Sequence, residues 1–147
     1  MDRPSILDST AFKLNRAAVL IERVADDYLR RSYGIRYAPF LVLMMARLLG
    51  PTSQQAIAAN LNVSRASVTQ RVAALAADGH LIVANDPRDA RANLVSLTES
   101  GAALFDRAWA GLESRQDGLD TGIDERALAA ALDRLIANAV AVLEEHS

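Results

Sequence analysis

Residues 64–71, Ser-Arg-Ala-Ser-Val-Thr-Gln-Arg, gather Arg65, Ser67, Thr69, Gln70 and Arg71 on a stretch with helical periodicity. Arginine, glutamine and hydroxyl side chains can all bond to base edges or to phosphate oxygens. Further along, Asp86-Pro87-Arg88-Asp89-Ala90-Arg91 sets two arginines and two aspartates in one short run. Such a run makes a poor core and a good protruding loop. Arg88 suits a narrow A·T-rich minor groove, where negative potential is strongest. The aspartates repel phosphate unless they are paired, so Asp86 or Asp89 is expected to hold an arginine in position. The chemistry these residues share is recognition of double-stranded DNA. The candidate contacts are Ser53, Arg65, Ser67, Thr69, Gln70, Arg71, Arg88 and Arg91, with Asp86 and Asp89 supporting the loop. The bland alternative is a solvated helix face and a solvated turn, whose ion pairs contribute about 0–1 kcal/mol each.

Nothing comparable favours catalysis. The two histidines, His80 and His146, sit in no spacing that makes a metal site or a nucleophile–base pair. The carboxylates are scattered and no glycine-rich phosphate loop occurs. His80 reads as a structural residue. No catalytic residue, metal or cofactor is expected, and the lack of cysteine excludes disulfides, thiolate metal sites and thiol switches.

Periodicity and capping define the elements that must hold the contacts. Asp8, Ser9 and Thr10 offer N-caps for a long first helix, along which Leu14, Ile21, Val24 and Tyr28 recur. A second helix is expected from near Pro39, with Phe40, Leu43, Met44 and Leu48 as its inner stripe and Gly50-Pro51 as its end. Thr52-Ser53-Gln54-Gln55 fits a capping box, Thr52 being the cap and Gln55 reaching back. It opens a short third helix with Ile57 and Leu61 inward. Asn62, tolerant of left-handed backbone, makes the turn. Ser64 caps the fourth helix, stapled by Val63 and Val68, with Val68, Val72 and Leu75 inward and Gly79 as its stop. Short strands are expected at 80–83 and 93–97. Thr98 then caps a fifth helix carrying Leu104, Phe105, Ala108, Trp109 and Leu112. After a break at 117–122, Asp124 caps the last helix, stapled by Ile123 against Leu128. Its apolar positions are Leu128, Leu132, Leu135, Ile136, Val140 and Leu143.

The fold class is therefore mainly α with a small β-wing (α+β). A winged helix-turn-helix core spans 36–99, an N-terminal dimerisation helix region 1–35, and C-terminal dimerisation helices 100–147. No internal repeat or low-complexity linker interrupts the chain.

The bulk numbers are compatible with this. A chain of 147 residues that is 51% hydrophobic can bury a core. Its longest apolar run, 38–46, is far short of the roughly 20 residues a membrane helix needs. Without a secretory leader pattern, a cytoplasmic protein is expected. The net charge of −2 is unevenly placed: the first fifty residues are net +3, the next forty-seven net +1, and the remainder net −6. Phosphate attraction depends on local clusters, and a second copy would strengthen the modest charge of the reading segment. All but one of the 16 basic residues are arginine, the side chain best suited to bidentate contact with phosphate or guanine.

From residue 52 to residue 101 the chain resembles the MarR family of winged helix-turn-helix regulators. Three features carry the likeness: Leu61-Asn62-Val63-Ser64 before the reading helix, Asp86-Pro87-Arg88-Asp89-Ala90-Arg91 in the wing, and Leu97-Thr98-Glu99-Ser100-Gly101 after it. The wing motif with its trailing Leu-Thr-x-x-Gly is the specific part, and the coarse order of helices matches over nearly the whole chain. The resemblance implies an obligate homodimer with intertwined terminal helices, bound to a palindromic operator and usually repressing. It implies that Arg88 enters the minor groove, supported by Asp86. The family usually has glycine at the place of Asn62, and often a basic residue at the place of Ala74, where Arg71 is the candidate substitute.

A homodimer can also be argued from the apolar stripes of the first, fifth and last helices, which a small reader covers only in part. Two-fold pairing puts two reading helices on one DNA face; the alternative is a monomeric helical bundle. The resemblance further implies a small aromatic or phenolic effector, with Tyr37, Met44, Phe105 and Trp109 as candidate lining, although such residues are also ordinary core. The rival to DNA binding is a winged-helix protein-interaction module, which would need neither wing arginines nor a small polar reading face.

Overall fold

The computed structural model describes residues 3–147, which form two compact units, one up to Ser114 and one from Arg115 to Ser147. In the first, a short helix α1 (Arg3–Leu7), which the sequence pattern does not announce, precedes α2 (Thr10–Tyr33). Ser9 is the N-cap of α2, accepting from Phe12 N at 3.2 Å, and Gly34 ends it in the left-handed region at φ 69°. Then follow α3 (Tyr37–Leu49), α4 (Gln54–Leu61), α5 (Arg65–Ala77), the antiparallel pair β1 (Leu81–Asp86) and β2 (Asp89–Leu97), and α6 (Glu99–Ser114). The fold is mostly helical with a two-stranded wing, as the pattern predicts.

The core lies between α2, α3, α4, α5, α6 and the base of the β1–β2 wing. Leu29, Phe40, Val42, Leu43, Ile57, Val68, Val72 and Val95 are its most deeply buried side chains. Burying each removes about 1.5–3 kcal/mol of apolar surface from water. The α2–α3 corner is fixed electrostatically. The Asp26 carboxylate accepts from Arg36 Nε at 2.9 and 3.1 Å and from the Tyr37 backbone N at 2.8 Å, capping the start of α3. The Arg36 hydrogen bond, then the Tyr37 N–H, hold this carboxyl below its ordinary value.

Three expectations are corrected. Leu48, expected on the inner stripe of α3, is exposed, because the buried face is set by Phe40, Val42, Leu43 and Ala46 and Leu48 falls on the opposite side. Ser53, not Thr52, caps α4, its hydroxyl accepting from Ala56 N at 3.0 Å. Thr52 is instead buried and exchanges two backbone hydrogen bonds with Val95, at 3.0 and 2.7 Å, tying the α3–α4 loop to β2. The proposed capping box with Gln55 therefore does not form, because Ala56 occupies the third position of the helix. The wing is also longer than expected. Its strands run to Asp86 and from Asp89, so the six-residue loop contracts to a two-residue turn, Pro87-Arg88, with an irregularity in register between Asn85 and Asp86.

In the second unit, a loop with Gly118 and Gly122 at positive φ leads to α7 (Glu125–Glu145), capped by Asp124. The stapling residues Ile123 and Leu128 both stay exposed, and α7 buries no residue of its own. Among the described residues no helix is long and apolar enough to cross a membrane.

Candidate nucleic-acid interface

The reading helix is set by a short, well-determined turn. Asn62 adopts φ 55°, ψ 47° and its N–H returns to the Ala58 and Ala59 carbonyls, closing α4 where glycine would otherwise serve. Ser64 caps α5, accepting from Ser67 N at 3.1 Å, and Val63 packs against the core beside fully buried Val68. With Val68, Val72 and Leu75 buried, a turn of about 100° per residue fixes the other faces. Gln70 points furthest outward, flanked by Ala66 and Ala73. Arg65 and Thr69 lie on one shoulder; Ser67 and Arg71 lie on the other. The five candidates are thus divided between a crest and two shoulders. Ala66 and Ala73, which residue chemistry gave no reason to single out, keep the crest low, a shape that suits close approach to a base edge or a thymine methyl.

Ser53 stands at the start of α4. Its oxygen is engaged by Ala56 N, while its hydroxyl hydrogen stays available for a phosphate. Beside it, Gln54 Oε1 accepts from Thr69 Oγ1 at 2.7 Å, joining the first residue of α4 to the reading helix. No sequence signal marks Gln54, since its partner lies on another helix.

At the wing tip, each aspartate accepts from a backbone N–H two residues on. Asp86 Oδ1 takes that of Arg88 at 2.9 Å, and Asp89 Oδ1 takes that of Arg91 at 3.0 Å. The aspartates therefore position the arginines through the main chain, by Asx turns, and no ion pair among the described residues uses either guanidinium. Both cationic ends are exposed at the tip. The tip borders a hollow of about 380 Å³ that Pro51 and Leu94 also line.

The wing is locked to α6 at its base. Thr98 Oγ1 donates to Gly79 O at 2.7 Å and accepts from Gly101 N at 3.0 Å, while Thr98 N donates to His80 O at 3.1 Å. A Cβ at Gly101 would run into that His80 carbonyl, which explains the glycine of Leu-Thr-x-x-Gly. His80 Nδ1 lies 3.1 Å from Ser100 Oγ, in line with a structural role.

The residues considered for an effector are not gathered into one cleft. Phe105 is buried and stacked between Phe40 and Trp109, at centroid distances of 5.3 and 6.1 Å, and Trp109 is 42% exposed. Met44 packs against the core. Tyr37 lines a groove of about 310 Å³ with Val19, Glu22, Arg23, Asp26 and Ala38. Burial, with the nearby Glu22 charge, raises its phenol above the ordinary value.

A tri-helical core whose second and third helices are joined by a tight turn, followed by an arginine-tipped hairpin, defines a winged helix-turn-helix protein. Residues 36–92 match the model of the MarR family. No curated protein matches the chain in sequence. Among solved structures, a MarR mutant from E. coli complexed with operator DNA has a TM-score of 0.78 at 22% identity, covering 95% of this chain and 99% of that one. BpsR from Bordetella bronchiseptica, whose DNA binding is regulated by 6-hydroxynicotinic acid, has a TM-score of 0.75 at 26% identity, over 89% and 94% of the two chains. CouR from Rhodococcus jostii RHA1 bound to p-coumaroyl-CoA has a TM-score of 0.77 at 24% identity, over 91% and 94%.

Proposed function

We propose that this protein is a sequence-specific DNA-binding transcriptional regulator of the cytoplasm that binds a palindromic operator as a homodimer and acts as a repressor. The observation that carries this reading is the wing tip: two aspartates each accept a backbone N–H, at Arg88 and at Arg91, and neither pairs with a guanidinium among the described residues, so both cationic side chains stay exposed on the hairpin. Gln70 and its alanine neighbours enter the major groove. Thr69, beside Gln70, reaches a base edge, Arg65, Ser67 and Ser53 contact the groove walls, and Arg88 enters the adjacent minor groove. Arg71, one turn before Ala74 on the same shoulder, takes the phosphate contact that alanine cannot make.

Dimerisation is supported by apolar surface. On α2, Leu14, Val19, Leu20 and Ile21 are exposed; on α7, Leu135, Ile136, Val140 and Leu143 are. Faces of this kind call for a partner, and residues 1–35 and 100–147 supply the dimer contacts. Two-fold symmetry then spaces the reading helices about one helical turn apart. A small aromatic or phenolic ligand releases the operator; of the four residues considered, Tyr37, which lines a groove, and the partly exposed Trp109 are the ones such a ligand can reach. It can do so only by favouring one arrangement of the helices over another.

Selection of bound sequences from a random duplex pool, followed by footprinting and a salt titration, tests the reading. The expected result is an inverted repeat whose affinity falls steeply with salt, by roughly 0.9 log units per phosphate contact per tenfold salt. A protein that sediments as a monomer, or selects no sequence at low ionic strength, refutes it.

A further inference from the structure

The Thr69–Gln54 hydrogen bond sets the sense in which the reading helix can be used. Thr69 lies on the shoulder of α5, exposed, one turn after Arg65 and next to Gln70. A threonine hydroxyl has one hydrogen and two lone pairs, so alone it can answer either a donor or an acceptor on a base edge. Here the hydrogen is committed: Thr69 Oγ1 donates it to Gln54 Oε1 at 2.7 Å across two helices. Only lone pairs remain. Gln54 is itself held, as the first residue of α4 directly after the Ser53 cap. With one lone pair of its oxygen engaged by Thr69, its NH₂ end remains a donor near a helix N-terminus.

We propose that Gln54 is a positioning residue for base recognition, which fixes Thr69 as a hydrogen-bond acceptor and so selects an amine-bearing base edge at one position of each half-site. The edges that satisfy a lone pair in the major groove are adenine N6 and cytosine N4. Guanine and the thymine carbonyl, which offer acceptors there, are rejected. The inference rests on the DNA-binding reading above and adds a residue that need not touch a base.

The test is a base-substitution profile across the selected operator for wild type, Gln54→Ala, Gln54→Glu, Thr69→Val and the double variant Gln54→Ala/Thr69→Val. Removing the acceptor in Gln54→Ala frees the Thr69 hydroxyl to rotate and donate. Discrimination between amine-bearing and carbonyl-bearing bases should fall about three- to tenfold at a single position, the worth of one hydrogen bond, with the other positions unchanged. A carboxylate can only accept, so Gln54→Glu should keep that preference while lowering affinity for all sequences through its charge. Thr69→Val should abolish the preference, and adding Gln54→Ala to it should change the profile no further. A uniform loss of affinity in Gln54→Ala, with its base profile unaltered, would reduce Gln54 to a phosphate contact and overturn the proposal alone. A wild-type protein that selects no sequence overturns the DNA-binding reading and this inference with it.

Discussion

Replacing Gly101 by alanine places a methyl group against the His80 main chain, where the carbonyl oxygen, the carbonyl carbon at 2.9 Å and Leu97 Cδ2 at 3.1 Å already stand. None of these can yield cheaply. The His80 carbonyl accepts the Thr98 N–H, and Leu97 pairs with Leu81 across the wing. Overpacking costs about 1–3 kcal/mol, and against main chain that cannot swing aside the upper part, about 2–3 kcal/mol, applies. Alanine recovers up to about 1 kcal/mol in helix propensity, because Gly101 sits in the first turn of α6. The net should be a loss of about 1–2 kcal/mol, or a fall in Tm of about 2–8 °C for a domain of this size. Gly111→Ala on the same helix is the control. Its methyl would meet the ring ends of Tyr33 and Tyr28, which can tilt away, and it gains the same propensity. Thermal melts at one protein concentration compare the two, since the stability of the proposed dimer would depend on concentration. A Gly101→Ala protein as stable as wild type, or less affected than Gly111→Ala, would refute the claim that the wing base has no slack.

Four other outcomes are expected. Arg88→Ala should cost about 1–3 kcal/mol of operator affinity in a gel-shift titration, and Asp86→Ala should also weaken binding, although it removes a negative charge near phosphate, because the Arg88 backbone loses its anchor. Asp26→Asn should lower stability at neutral pH by about 1 kcal/mol, by weakening charge-assisted bonds to Arg36 and Tyr37 N. Since the folded state depresses this carboxyl, its contribution is present above the unfolded value near 3.8 and is lost as pH falls through the lower folded value, so urea melts of the two proteins should converge in that acid range. Thr98→Val should destabilise by about 0.5–2 kcal/mol in the same melts, through loss of the bonds to Gly79 O and Gly101 N.

What could be read in advance was what neighbouring residues decide. Ser9, Ser64 and Asp124 are caps because a short oxygen-bearing side chain reaches an N–H three residues on, and Asn62 is a left-handed stop for equally local reasons. Thr52 has the same side-chain chemistry and failed as a cap because Val95, far along the chain, engages its backbone. The wing was foreshortened for a related reason. Asp86 and Asp89 look like loop residues by composition, yet they pair across the hairpin and turn inward to the backbone. Gln54 was invisible because only the packing of α4 on α5 brings it to Thr69.

The same joint that Gly101 permits bears on how a reader of this build can be switched. The His80 carbonyl is held by Thr98, Thr98 by Gly79 and Gly101, and Gly101 opens the helix that carries Phe105 into the aromatic stack with Phe40 and Trp109. Main-chain contacts this close transmit a displacement rather than absorb it, since packed interiors are stiff. A shift of α6 against α3 must therefore move the base of the wing, and with it the tip that bears Arg88. The Asp86 and Asp89 turns fix the tip internally, so it moves as a body and does not reshape. On the DNA-binding reading proposed above, re-aiming the hairpin that carries Arg88 and Arg91 would by itself weaken the grip on DNA, with the recognition residues of α5 undisturbed.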